Sequence, residues 1–444
     1  MRLRRAATIV DATPANQSAR GLSQPGPGPG SGPNPNPEIE PAAGAVDARS
    51  SGASQLDLWL LLAVLFLAGV GTLEIYSASA VYAVKKTGSS TYYLTRHLIY
   101  LAIGGGAMWW AARVHYGWLR RWAYPLLGIA FAMLAAVLVI GTRVGGARRW
   151  FHFGSLSIQP VEIAKLALVA YLAASLARKQ EKVKSFTIGF LPHLAVCGAM
   201  MGLMLKQPDL GSSLILGATT LLLLLVAGTK LSYVVIAVLA AAPIVYQAIV
   251  GTPWRLKRLI AFLDPWQFRE GVGYQITESL ISIGSGGIAG LGLGDGKQKL
   301  FYLPEAHTDF VMSNIGEELG FVGFAAVLLC FVIIVWRGSR AAANARDAFG
   351  TYLAFGITSL IALQALVNTS VVLGALPAKG LTLPLVSYGG SSLVMTMLLI
   401  GVLLNIAKRT PGQLRSKREL LAATVRRVNA YRQRRLPRVL VVRE

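Results

Sequence analysis

Residues 210–250 read LGSSLILGATTLLLLLVAGTKLSYVVIAVLAAAPIVYQAIV. Two apolar runs, 210–228 and 231–250, are separated only by Thr229 and Lys230. Each has the length, about 17–25 residues, that carries a helix across a hydrocarbon core. In lipid every backbone N–H and C=O must be satisfied inside the segment, so helix is the natural conformation. The runs are too long and too continuous for the strands of a membrane barrel. Outward from this pair, comparable runs lie at 58–77, 97–114, 122–141, 161–176 and 187–205, and then at 320–336, 351–373 and 392–407. The sequence therefore predicts an all-α integral membrane protein with about ten transmembrane helices.

The composition agrees. Hydrophobic residues make up 54% of the chain and charged residues 14%, with a mean hydropathy of +0.53. A soluble domain keeps about 25% charged residues because its surface must be solvated. Cys197 and Cys330 both fall within apolar runs, so they read as small core residues and exclude a disulfide framework. The net charge of +23 would suit a nucleic acid, but its distribution argues against one. With both termini on one side, that side holds about two thirds of the Lys and Arg residues, the signature of a cytoplasmic face. The loop 251–308 is then expected outside. Residues 56–407 form the membrane domain. Residues 1–55 are a Pro/Gly/Asn/Ser-rich tail that cannot bury a core and is expected to be disordered. Arg2, Arg4 and Arg5 are followed by no adequate apolar region, so the tail is not a signal peptide. The basic tail 408–444 suits attraction to anionic lipid or docking of a cytoplasmic partner.

Ionisable groups within or against spans are costly, and so informative. They cluster toward the outer side. Gly146-Ala147-Arg148-Arg149-Trp150 leads through Gln159-Pro160-Val161-Glu162 to Lys165. Glu162 and Lys165 share a helix face, as a structural ion pair or as groups lining a cavity. Gln207-Pro208-Asp209-Leu210-Gly211 stands at the mouth of a span, where Asp209 suits a helix cap. In the long loop come Arg255, Lys257 and Arg258, then Gly273-Tyr274-Gln275. A glycine-interrupted apolar stretch, 276–293, reads as a re-entrant or interfacial segment that needs burial against protein. Glu305, His307 and Asp309 follow within five residues. Last comes Pro377-Ala378-Lys379-Gly380, then Ser387-Tyr388-Gly389-Gly390-Ser391-Ser392; a turn explains its glycines but not Lys379. Carboxylates and fixed cations around an apolar cavity suit an anionic, lipid-linked substrate. Five His residues without ligand spacing give no metal site. No phosphate-loop or dinucleotide motif couples the chain to ATP.

In this order the motifs resemble those of the SEDS family (shape, elongation, division and sporulation), most closely its division branch. They are GARRW at 146–150, QPVEIAK at 159–165, QPDLG at 207–211, GYQ at 273–275, LPEAHTDF at 303–310, GEELG at 316–320, KGLTLP at 379–384 and SYGGSS at 387–392. The segment 311–316 is more polar than the usual family pattern. The resemblance implies a peptidoglycan glycosyltransferase of the bacterial plasma membrane, acting at the division septum. Its substrate would be lipid II, a disaccharide-pentapeptide on undecaprenyl diphosphate. It implies Asp309 as the catalytic carboxylate. Arg148, Arg149, Trp150, Glu162, Lys165, Glu305, His307, Lys379 and Ser387 are the substrate-binding candidates. A divalent cation, Mg or Mn, would assist the diphosphate, although no cofactor is required by a dedicated ligand set. The implied protein partners are a class B penicillin-binding protein and other divisome proteins. A lipid II flippase or transporter, and a non-catalytic scaffold for a division transpeptidase, are the competing readings.

Overall fold

The computed structural model describes residues 56–144, 146–154, 156–297 and 307–408. The expectations for the two tails, and for Glu305, lie outside the described residues. The helices are α1 (Leu58–Thr87), α2 (Tyr92–Arg113), α3 (Gly117–Ile140), α4 (Pro160–Arg178), α5 (Leu191–Lys206), α6 (Leu210–Val226) and α7 (Leu231–Val250). They continue with α8 (Pro253–Leu263), α9 (Tyr274–Gly286), α10 (Val311–Glu318), α11 (Gly320–Ala343), α12 (Ala348–Val372) and α13 (Gly390–Ala407). A π-helical turn, Phe186–Phe190, leads directly into α5. Among the described residues, eight helices are long and apolar enough to cross a membrane, and α6 is a shorter apolar helix. Eight of the ten runs read from the sequence fall on these eight helices; the run 210–228 falls on the shorter α6, and the run 97–114 on α2, which is not among the eight.

Local chemistry sets several ends. Asp57 caps α1, its Oδ1 accepting from the Leu60 N–H at 3.2 Å. The helix closes at Gly88, whose φ of 76° is the left-handed cap that glycine adopts without strain. Pro160 begins α4, where its missing N–H costs nothing. Asp347 caps α12 by accepting from Gly350 N–H at 3.1 Å.

Helix α4 is the enclosed axis of the bundle: 89% of its apolar window is buried, against 11% for α7. It packs on α3 and α12. Helices α2 and α13 form the most extensive helix pair. A Cβ on Gly401 would collide with the Met108 carbonyl, and one on Gly104 would meet Met397 Sδ at 2.6 Å. Small residues permit such close crossings in membrane bundles, where apolar burial alone does not drive association.

The stretch 276–293 splits. Its first part lies in α9, which is buried against α10 and α12. Ser279 Oγ lies 2.6 Å from Ser313 Oγ and donates to Val372 O at 2.8 Å. The helix then gives way to a glycine loop, with positive φ at Gly287, Gly290, Gly292 and Gly294. Two buried carboxylates fasten this loop. Glu317 accepts from Lys297 N–H at 2.8 Å, and Glu318 from Gly294 N–H at 2.9 Å.

Candidate active site

Between α3 and α4 the chain forms a three-stranded antiparallel sheet: β1 (Thr142–Val144), β2 (Ala147–Phe153) and β3 (Leu156–Ile158), in that order. Gly146 and Gly154, both at positive φ, lie at its two turns. Successive side chains on a strand point to opposite faces, which separates Arg148 from Arg149. Arg148 is exposed and donates to the carbonyls of Leu138 and Val139 near the C-terminus of α3, where a cation complements the helix dipole. Arg149 turns inward. Its Nε donates to Gln207 O and its Nη2 to Pro208 O, each at 2.8 Å.

Arg149 thereby lines a cavity of about 600 Å³ with Asp209, Arg255, Arg258, Gln275, Asp309 and Lys379. Six separate segments supply these groups: the sheet, the start of α6, α8, α9, the loop before α10 and the loop before α13. On α8, Arg255, Arg258 and Leu259 share one face at helical spacing and meet the cavity. Trp254, Ile260 and Leu263 of the same helix are largely exposed. Asp209 does cap α6, its Oδ1 accepting from Ser212 N–H at 3.0 Å, and it also faces the cavity.

The wall is rich in positive charge. Among the described residues, none of Arg149, Arg255, Arg258 and Lys379 forms an ion pair. Arg255 Nη1 donates to Ala248 O at 2.8 Å, and Arg258 Nη1 lies 3.4 Å from Ala378 O. Burial lowers the pKa of Lys379, and the nearby Asp209 carboxylate offsets part of that effect. Burial likewise lowers Arg258, with Asp309 acting in the opposite direction. Arg255 is lowered by burial and by its neighbour Arg149, with Asp209 opposing. Cations held partly desolvated, without an ion pair among the described residues, suit a multivalent anion. Asp309 lies against the cation-bearing loop: a Cβ on Gly380 would stand 3.2 Å from Asp309 Oδ2.

The other candidates take different places. His307 packs among Tyr82, Tyr93 and Tyr388 with ring centroids 5.2–5.9 Å away. Ser387 Oγ accepts from Leu383 N–H at 2.8 Å and closes a turn. Trp150 lies on β2, paired with Thr142. None of the three lines the cavity, and neither does Arg148. Glu162 and Lys165 are nearly inaccessible and form an ion pair at 2.8 Å within α4, also away from the cavity lining. Breaking a buried pair by deleting one partner strands a charge and costs about 3–5 kcal/mol. Lys165→Ala should therefore lower thermal stability by that order, and the charge-swapped double variant should regain part of it. Thermal melts run beside activity assays check this; a variant that keeps its stability while losing activity would instead place Lys165 on the substrate.

Sequence reasoning missed Arg255, Arg258 and Gln275 as site residues, although it noted them in the loop. It also passed over Asn368, whose Nδ2 donates to both Asp309 O and Leu381 O. Its signal was a primary amide within an otherwise apolar span, a costly placement. Among the described residues, no group of three or more His, Cys, Asp or Glu side chains could hold a metal ion. Arg and Lys supply the cavity's positive charge.

The fold defines an integral membrane protein with a cavity lined by cations. The chain belongs to the FtsW/RodA/SpoVE cell cycle protein family, whose model matches residues 58–411. A probable peptidoglycan glycosyltransferase FtsW from Trichlorobacter lovleyi is 46% identical, across 80% of this chain and 93% of that protein. A solved chain of a peptidoglycan synthase complex that coordinates polymerization and crosslinking has a TM-score of 0.67 and 29% identity, covering 79% of this chain and 97% of its own. The rod shape determining protein RodA of Thermus thermophilus has a TM-score of 0.60 and 29% identity, covering 79% and 96%.

Proposed function

We propose that this chain is a peptidoglycan glycosyltransferase that polymerises lipid II into glycan strands at the division septum, with Asp309 as general base. The observation that carries this reading is the chamber itself: four cations, without ion-pair partners among the described residues, converge on one cavity with the Asp309 carboxylate. A sugar hydroxyl is a weak nucleophile until a base takes its proton during attack. Asp309 would accept the proton of the acceptor's 4-hydroxyl as that oxygen bonds to the anomeric carbon of the donor. The bond from that carbon to the diphosphate breaks, and undecaprenyl diphosphate leaves as an anion. One displacement converts the α-linked donor into a β-1,4 product. The leaving group needs charge stabilisation more than a proton, so one carboxylate is enough, unlike the carboxyl pair of glycosidases. Arg149, Arg255, Arg258 and Lys379 are assigned to the diphosphate. Purified protein given lipid II, with and without a class B penicillin-binding protein as partner, tests the reading by its yield of glycan strands.

The same proposal gives the chain ten crossings, with both termini cytoplasmic and the chamber outside. Cation–aromatic pairs stand at helix ends on both sides, such as Arg113 over Trp109 and Arg96 over Tyr92, in keeping with interfacial anchoring at either face. A cysteine placed at Gly271, with Cys197 and Cys330 replaced, should react in intact cells with an impermeant thiol reagent. Labelling only after membrane disruption would reverse the orientation.

A further inference from the structure

Asp309 and Lys379 lie 70 residues apart in number, yet one side chain on a third element joins their backbones. Asn368 is on α12 and only 2% exposed. A primary amide carries two N–H donors, and Nδ2 here reaches Asp309 O at 2.8 Å and Leu381 O at 2.7 Å. Leu381 in turn donates its own N–H to Lys379 O at 3.0 Å. The amide thus fixes the backbone that carries the base and, one bond further on, the backbone that carries the cation. Tyr388 N–H donates to His307 O at 2.9 Å and ties the same two segments two residues upstream of Asp309. Asn368 supplies the second tie, and it is anchored in a long buried helix rather than in either loop.

We propose that Asn368 is a positioning residue that sets the separation of the Asp309 carboxylate from the Lys379 ammonium, and so of base from diphosphate. This rests on the assignment of Asp309 as base. Both carbonyls accept from this one amide, and its removal takes both hydrogen bonds away together. Arg149 and Arg255 are held by carbonyls outside these two segments, so loss of Asn368 should leave much of the binding surface in place. The predicted signature is a fall in kcat with little change in KM.

The test uses the full chain with its penicillin-binding partner, lipid II as probe, and rates expressed per folded molecule. Asn368→Ala removes the donors, and Asn368→Asp keeps the shape while turning a carboxylate toward two carbonyls. Both should lose kcat on the order of 10²-fold, the scale of a misplaced reacting group, with KM for lipid II shifted far less. Wild-type kcat in either variant, with only the melting temperature reduced, would reduce Asn368 to a structural role. Should both fail to fold, Asn368→Ser decides, since it offers one donor hydrogen instead of two. An intermediate kcat supports positioning, and a wild-type kcat overturns it. Asp309→Asn is assayed in parallel. Full polymerisation by that variant removes the base assignment itself. An inert Asp309→Asn beside a fully active Asn368→Ala removes only the positioning role.

Discussion

Asp309→Asn is expected to leave lipid II polymerisation at or near background, while the protein still folds, inserts and binds its partner. Asn matches Asp in shape, and the contact that holds this position from α12 is made to the Asp309 backbone carbonyl, not to its carboxylate. What the substitution removes is an oxygen able to take a proton. General-base catalysis contributes about 10²–10⁴-fold, so the residual rate should fall by that factor. Asp309→Glu keeps the base but extends it by a methylene, and Gly380 already stands close to Oδ2. A trace of activity is therefore expected from Glu, below wild type and above Asn. The decisive quantity is glycan yield from lipid II with purified proteins of matched folding. Near-normal yield from the Asn variant would remove Asp309 as base and make Glu305 the next candidate. Lipid translocation without polymer from the wild type would favour the flippase reading instead.

The long helices were legible because each is a continuous apolar segment of membrane length, a signal carried by the segment itself. The Glu162–Lys165 pair was legible for a similar reason: three residues on one helix fix their proximity. The small sheet was not. Ala147–Phe153 shows no alternation of polar and apolar residues, and its partner strands have three residues each, too short to carry a period. The residues Arg148 and Arg149 looked equivalent as a motif and became opposite once the strand pleat was known. The chamber's cations were the least legible feature. Arg149, Arg255, Arg258 and Lys379 come from three distant segments, and only their tertiary arrangement brings them together. Asp209 illustrates a different limit. Its capping role was read correctly, and a cap at the first turn of a helix can also face a cavity, so one local function did not exclude a second.

The second large effect concerns Lys379 and carries a pH signature. Its ammonium faces the chamber on a short loop, without an ion-pair partner among the described residues. Removing one such donor from a developing anion costs about 10²–10³-fold in rate where the group acts in the transition state. Lys379→Ala should therefore lose that order in kcat. Burial favours the neutral amine and Asp209 only partly opposes it, so the folded pKa lies below the usual lysine range. Below that folded pKa the group is charged and can stabilise the leaving diphosphate. As pH rises through it, the charge is lost, and activity should decline at a lower pH than an unperturbed lysine would allow. Lys379→Arg retains its charge throughout this range, because a guanidinium stays protonated well beyond it. The Arg variant should thus lose some rate from altered geometry, yet keep that rate to higher pH. Polymerisation rates measured across the alkaline range for wild type and Lys379→Arg test this on partner-bound protein. An identical alkaline decline in both would show that a different group titrates. Wild-type rates from Lys379→Ala would remove Lys379 from the diphosphate site, leaving Arg149, Arg255 and Arg258 to neutralise it.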